Sequence, residues 1–185
     1  GFFDVLHDPA DEHVTGRIGH RVDVDLDRAF QEAVDQDRVI DSDEALRRDA
    51  PPKSVTIIGA GAIGVEWASL YGDLGSEVRL VEFMDRIVPL EDPDVSKELA
   101  RLFRKRGMTI HASSTVDPAS LQRTDTGIRH AIVASDGGGR SEVESDWILV
   151  AIGRRPVTEN IGLDQIEGVT LDRGFIVVDG KEGGT

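Results

Sequence analysis

The chain has no cysteine. A disulfide, a thiolate nucleophile and a cysteine-ligated zinc are therefore excluded from it, and the absence suits a cytoplasmic protein. Basic residues are in the minority. Lysine and arginine total 21 against 35 acidic residues, for a formal charge of −14. An acidic surface repels phosphate backbones, so nucleic acid is not an expected partner. Long apolar runs are also missing, with nothing near the ~20 residues a membrane helix requires. The first residues lack the charged start and apolar core of a signal peptide, so no membrane partner is expected either. Aromatics are scarce, yet a hydrophobic share of 39% is enough for a packed core. The 185 residues fit one domain, or one domain with an appendage.

What is present centres on Val55–Glu82, VTIIGAGAIGVEWASLYGDLGSEVRLVE. A short apolar run (Val55, Ile57, Ile58) leads directly into Gly59-Ala60-Gly61-Ala62-Ile63-Gly64. A helical pattern follows, Gly75 closes it, and a second apolar run (Val78, Leu80, Val81) ends on Glu82. Strand, glycine turn, helix and strand are the context that makes GxGxxG a dinucleotide signal instead of an ordinary turn. Gly59 permits a sharp exit from the strand, Gly61 leaves room for a pyrophosphate against the backbone, and Gly64 lets the helix sit close to the sheet. The first N–H groups of that helix lack internal partners and stand at the positive end of its dipole. Glu82 lies eighteen residues beyond Gly64. A carboxylate there accepts hydrogen bonds from both hydroxyls of an adenosine ribose and repels a 2′-phosphate. Phe83 and Met84 follow it, with no adjacent arginine, so NAD is favoured over NADP.

The flanks are read more coarsely. Residues 1–37 form an unassigned acidic segment. Alternation over Arg17–Leu26 predicts a strand, and Asp27 is placed to cap a short helix bearing Phe30, Ala33 and Val34. His7, His13 and His20 match no metal-ligand spacing and read better as solvated surface histidines, so no metal is expected. Residues 38–53 read as a linker, with Ser42 or Asp43 capping a short helix through Arg48 before Pro51-Pro52 delivers an extended chain. Beyond Glu82, Asp92 is a natural N-cap, Pro93 suits the first helical position and Asp94 the positive end. Val95, Leu99, Leu102 and Phe103 form one helical face. Arg101, Arg104, Lys105 and Arg106 crowd the C-terminal end, where cations are favourable without any ligand.

Met108–His111 predicts a third parallel strand. Segments around Thr115–Arg123, Gly127–Ser135 and Arg140–Asp146, separated by turn residues, predict an antiparallel meander. Trp147–Gly153 is an unbroken apolar run, as expected of a strand buried on both faces. Gly153 stands at its C-terminal end, where open α/β sheets place their ligands. Phe175–Val178 reads as a last strand and Gly180–Thr185 as a flexible tail. The expected fold is a Rossmann-like open parallel α/β sheet with helices on both faces and an antiparallel three-stranded β-meander. Its boundaries are expected at residues 54–179.

The stretches PKSVTIIGAGAIGVEWASLYGDLGSEVRLVEFMDRIVP, DVSKELARLFRKRG, ILVAIGRRPVTENIGL and DRGFIVVD occur in this order. Over roughly Arg38–Asp179 they resemble the pyridine nucleotide–disulfide oxidoreductase family, most closely its dihydrolipoamide dehydrogenase branch. The resemblance implies the NAD-binding domain of an oxidoreductase that also carries FAD and a dimerisation domain and serves cell redox homeostasis. It implies that Gly59, Ala60, Gly61, Ala62, Ile63, Gly64, Val65 and Glu66 cradle NAD, with Glu66 toward the nicotinamide ribose. Glu82 would hold the adenosine ribose and Gly153 would approach the nicotinamide. Val116 is either close to the adenine or a core residue of the meander.

The family's flavin-binding motif, its redox cysteine pair and its acid/base His–Glu pair have no counterpart in these residues. The chain alone is therefore expected to bind NAD(H) and to be catalytically inert, with no catalytic residue of its own. Two alternatives stand beside this. One is a stand-alone module that binds or senses dinucleotide, with residues 1–37 as a docking arm. The other is a fingerprint that binds FAD, against which Glu66 and the AIGRRP ending argue.

Overall fold

The computed structural model describes residues 24–153, 156–172 and 174–178. They fall into two compact units that divide after Gly153. The larger opens with α1 (Val24–Ala33), β1 (Val39–Ile40) and α2 (Ser42–Ala45). Then come β2 (Ser54–Ile58), α3 (Ala62–Asp73), β3 (Glu77–Val81), α4 (Pro93–Lys105) and β4 (Thr109–His111). The antiparallel strands β5 (Ser114–Val116), β6 (Gln122–Arg123), β7 (Ile128–Ala134) and β8 (Arg140–Ser145) follow, and β9 (Trp147–Val150) closes the unit.

Five strands form a parallel sheet in the order β1-β9-β2-β3-β4. The expected αβ organisation is therefore present. Side chains alternate across a strand, and the two faces bury different partners. Val55, Ile57, Leu80 and Leu149 pack under Ala68 and Tyr71 of α3 and Phe103 of α4. On the other face Ile58, Val81, Ile148 and Val150 meet Phe30 of α1 and Val116, Ile128 and Ile132 of the antiparallel sheet. Each fully buried aliphatic side chain contributes about 1.5–3 kcal/mol to this assembly.

Local chemistry sets the element ends. The Asp92 carboxylate accepts from the N–H of Asp94 at 2.8 Å, and Pro93 takes the first turn, as the spacing predicts. Gly75 and Gly107 follow α3 and α4 with φ of +90° and +87°, the left-handed conformation that glycine tolerates.

Four details differ from the sequence reading. The stretch read as a strand reaches its described part at Val24 and is helical there, with Asp27 inside α1 instead of capping it; Phe30 on that helix is buried in the core, and this burial outweighs local alternation. Asp41, and not Ser42 or Asp43, caps α2, accepting from Glu44 N–H at 2.8 Å, and the helix stops at Ala45 instead of Arg48. The segment read as a linker supplies β1, which extends the parallel sheet beside β9. The first meander segment is split by a short helical turn at Pro118–Ser120 into β5 and β6, both paired with β7, so the sheet has four strands. Proline has no N–H for a ladder, and the Asp117 carboxylate caps the turn it starts.

Between the sheets runs a buried hydrogen-bond chain that local sequence gave no sign of. His130, fully buried, has Nδ1 3.2 Å from the carbonyl oxygen of Ile128 and Nε2 3.0 Å from Thr56 Oγ1. A carbonyl can only accept, so Nδ1 carries the proton and Nε2 accepts from the Thr56 hydroxyl. Thr56 Oγ1 in turn accepts from Ser145 Oγ at 2.8 Å. Burial pushes the imidazole below its usual pKa. The Ile128 carbonyl opposes that, Arg79 adds to it and Glu142 opposes it.

In the second unit β10 (Leu171–Asp172) and β11 (Phe175–Ile176) form an antiparallel hairpin, shorter than the strand predicted over Phe175–Val178. His7, His13, His20 and the tail at 180–185 lie outside the described residues. Among the described residues no helix is long and apolar enough to cross a membrane.

Candidate functional site

From β2 the chain passes through α3 to β3 on one side, and it returns much later as β9 on the other. The C-terminal end of β2 is therefore a point where the strand order reverses, and open α/β sheets bind ligands in the crevice beyond it. The glycine turn stands at that point. Gly59 has φ +93°, and a Cβ there would meet the Ala151 carbonyl oxygen, just past β9, at 2.7 Å. A Cβ on Gly64 would lie 1.9 Å from the Gly59 oxygen, so only glycine lets α3 approach the turn this closely.

Gly61 behaves differently. Its φ is ordinary, and no atom lies within 4 Å of where its Cβ would be. It is the N-cap of α3 without a side-chain cap bond, and no acidic residue occupies the first turn. The leading N–H groups of the helix thus have no side-chain cap at its positive end, an arrangement suited to an anion.

Glu82 immediately follows β3 and is 7% exposed. Its Oε2 accepts the Ala60 N–H at 2.7 Å and its Oε1 accepts the Met84 N–H at 2.8 Å. A carboxylate offers about four lone-pair sites, so each oxygen keeps one for a further donor. The Ala60 carbonyl accepts the Val88 N–H at 2.7 Å, and the Gly59 N–H donates to Val81 O at 2.8 Å. The loop between β3 and α4 is fastened at its other end, where the buried Ser96 hydroxyl donates to Ile87 O at 2.6 Å. Arg86 in that loop donates to Pro89 O at 3.0 Å and pairs with Asp85.

The sequence-predicted residues are placed as follows. Gly59 to Val65 form the turn and the start of α3, with Ala62 exposed and Ile63 and Val65 partly covered. Glu82 is brought against Ala60. Glu66 is exposed on α3 and makes no contact with Glu82 among the hydrogen bonds described. Val116 is fully buried opposite Ile132 within the core between the sheets. Its strand nevertheless starts at Glu82, whose carbonyl accepts the Ser114 N–H at 2.9 Å. Gly153 is exposed, three residues beyond β9, with φ +63°. Sequence reading missed Val88, Ser96 and the double use of Glu82 by backbone amides. Only the clustering of apolar and proline residues in DRIVP hinted that this loop is anchored. Among the described residues no group of three or more histidine or acidic side chains could hold a metal ion.

The switch point, the glycine turn and the terminal carboxylate define a Rossmann-like α/β domain. The family described as pyridine nucleotide-disulphide oxidoreductase matches residues 15–182, and the chain belongs to it. Dihydrolipoyl dehydrogenase from Zymomonas mobilis is 46% identical over 136 residues, covering 74% of this chain and 28% of that protein. A water-forming NADH oxidase from Lactobacillus brevis, solved bound to NADH, superposes with a TM-score of 0.57 at 31% identity, over 68% of this chain and 28% of the oxidase. Its engineered NADPH-bound variant gives a TM-score of 0.56 at 26% identity with the same coverage. The chain thus spans less than a third of the length of these relatives.

Proposed function

We propose that this chain is the NAD(H)-binding part of a dihydrolipoamide dehydrogenase-like, FAD- and NAD-dependent disulfide oxidoreductase. The observation that carries this reading is the Glu82 carboxylate held against the glycine turn at the switch point, next to an open helix N-terminus. The pyrophosphate of NAD is assigned to the turn Gly59–Gly61 and the leading N–H groups of α3. The adenosine ribose is assigned to the free lone pairs of Glu82, and the nicotinamide half to the side of Glu66 and Gly153. NAD supplies a hydride acceptor when bound; this chain's residues bind it, orient it and repel a 2′-phosphate.

The engineered oxidase adds support. Five substitutions separate that NADPH-bound protein from its NADH-bound parent. They fall at a glycine, at an aspartate eighteen residues on, at the alanine and methionine directly after it, and at a proline seven residues beyond the aspartate. The same spacing here falls on Gly64, Glu82, Phe83, Met84 and Pro89. Glycine, acid, methionine and proline all recur, which favours NAD over NADP.

Hydride transfer between NAD and a dithiol requires flavin and a redox disulfide. A chain without cysteine does not contain that disulfide, so on its own it is assigned binding without turnover. FAD is assigned to other parts of the relatives' architecture, with which this stretch would pair. Calorimetry with NADH, NADPH and FAD tests the proposal. We expect NADH to bind most tightly, and micromolar FAD binding without NADH binding refutes it.

A further inference from the structure

Residue Ala60 is bonded at both of its backbone polar atoms to the segment that follows β3. Its N–H goes to the Glu82 carboxylate and its carbonyl receives the Val88 N–H, while the preceding Gly59 N–H is held by Val81. The next residue, Gly61, is held through its carbonyl, which accepts the Val65 N–H at 3.0 Å, and has open space where a Cβ would be. Two glycines flanking one alanine would otherwise sample many conformations. Val88 meanwhile holds φ +41°, which is unfavourable for a β-branched residue and persists only where the surroundings impose it. On either side of it the buried Ser96 hydroxyl donates to the Ile87 carbonyl and the Glu91 N–H donates to Val88 O.

The geometry points to Glu82 as a positioning residue for the phosphate-binding turn, in addition to its assignment to the adenosine ribose. The inference rests on the NAD(H) reading for its ligand, but its structural content stands on the free protein. A charge-assisted bond to a nearly buried carboxylate is stronger than a neutral one, and here it fixes the Gly59–Ala60 peptide, while Val88 holds the Ala60–Gly61 peptide. Ribose recognition and pyrophosphate recognition are thereby coupled through a single side chain. Because both carboxylate oxygens already accept one amide each, a ribose hydroxyl adds to the arrangement without breaking it.

Hydrogen exchange followed by NMR on the cofactor-free chain tests this. In Glu82→Ala, the Ala60 and Met84 amides should exchange at least about tenfold faster, with Ile57 and Ile58 in β2 unchanged. Glu82→Gln guards against loss of folding in the alanine variant. A carboxamide has one acceptor oxygen, so at least one of the two amides should lose protection. A double-mutant cycle completes the test, using NADH and an NADH analogue lacking both adenosine-ribose hydroxyls. Both variants should weaken the analogue at least about fivefold. Unchanged exchange at Ala60 and Met84, or equal binding of the analogue by variant and parent, overturns the inference and leaves Glu82 as a ribose ligand only. If the parent chain binds neither nucleotide, the NAD(H) reading fails, and the exchange data alone then decide whether Glu82 holds the turn.

Discussion

A methyl group on Gly59 would stand 2.7 Å from the carbonyl oxygen of Ala151, so the glycine turn after β2 and the end of β9 are in contact. Residues 92 positions apart in the chain are thereby brought together at the switch point. The position also has φ +93°. Gly59→Ala should therefore cost at least about 1–2 kcal/mol from the left-handed conformation alone, before any displacement of Ala151. At roughly 2–4 °C per kcal/mol for a chain of this size, calorimetric melting should show a clear drop, together with weaker NADH binding. An unchanged melting temperature would mean the turn takes another path.

Cofactor preference should follow the carboxylate. Glu82→Ala removes a charged acceptor and should weaken NADH by ~1–3 kcal/mol. Combining it with Phe83→Arg and Pro89→Arg should bring in guanidinium donors for a 2′-phosphate and reverse the order of NADH and NADPH in titration calorimetry. If NADPH stays the weaker ligand in the triple variant, the loop after β3 does not face the adenosine ribose.

Stability should depend on pH through His130. Burial holds its imidazole below the usual pKa, so the unfolded chain takes up a proton before the folded one does. The stabilisation is fully present above about pH 6.5, the unfolded value, and is lost as pH falls through the range below it. His111 shifts in the same direction, through burial and then Arg79. Urea unfolding at pH 7.5, 6.5 and 5.5 should show the wild type losing stability at a steeper rate than His130→Gln. Parallel slopes would refute a neutral buried imidazole.

The cap of α4 offers a test independent of any ligand. Asp92→Ala should cost about 1 kcal/mol, the usual value of an N-cap, and Asp92→Asn much less. Chemical denaturation measures both, and equal losses would show that charge, not capping geometry, is what matters there.

Much of this was legible in the residues. Asp92-Pro93 marked the start of α4, the Trp147–Gly153 run marked a buried strand that ends at Val150, and GxGxxG between two apolar runs marked the turn. These features depend on contacts within a few residues or on a periodicity that burial imposes. The helix bearing Phe30 was expected, but its start was misread, because alternation over Arg17–Leu26 is a local pattern, whereas Phe30 is buried by a sheet formed far along the chain. The breaking of the first meander segment lay within reach, since Pro118 cannot donate to a ladder.

By itself the sequence determined the strand, turn, helix and strand around the glycine motif, the start of α4 and the acid at the tip of β3, because each follows from backbone freedom, capping and short-range periodicity. Tertiary structure alone decided where those pieces meet. It placed β9 between β1 and β2, joined Thr56, His130 and Ser145 across two sheets, and used both oxygens of Glu82 to hold backbone amides. The physical reason is that such pairings join groups distant in the chain, and their partners are chosen by burial and by the need of every buried donor for an acceptor.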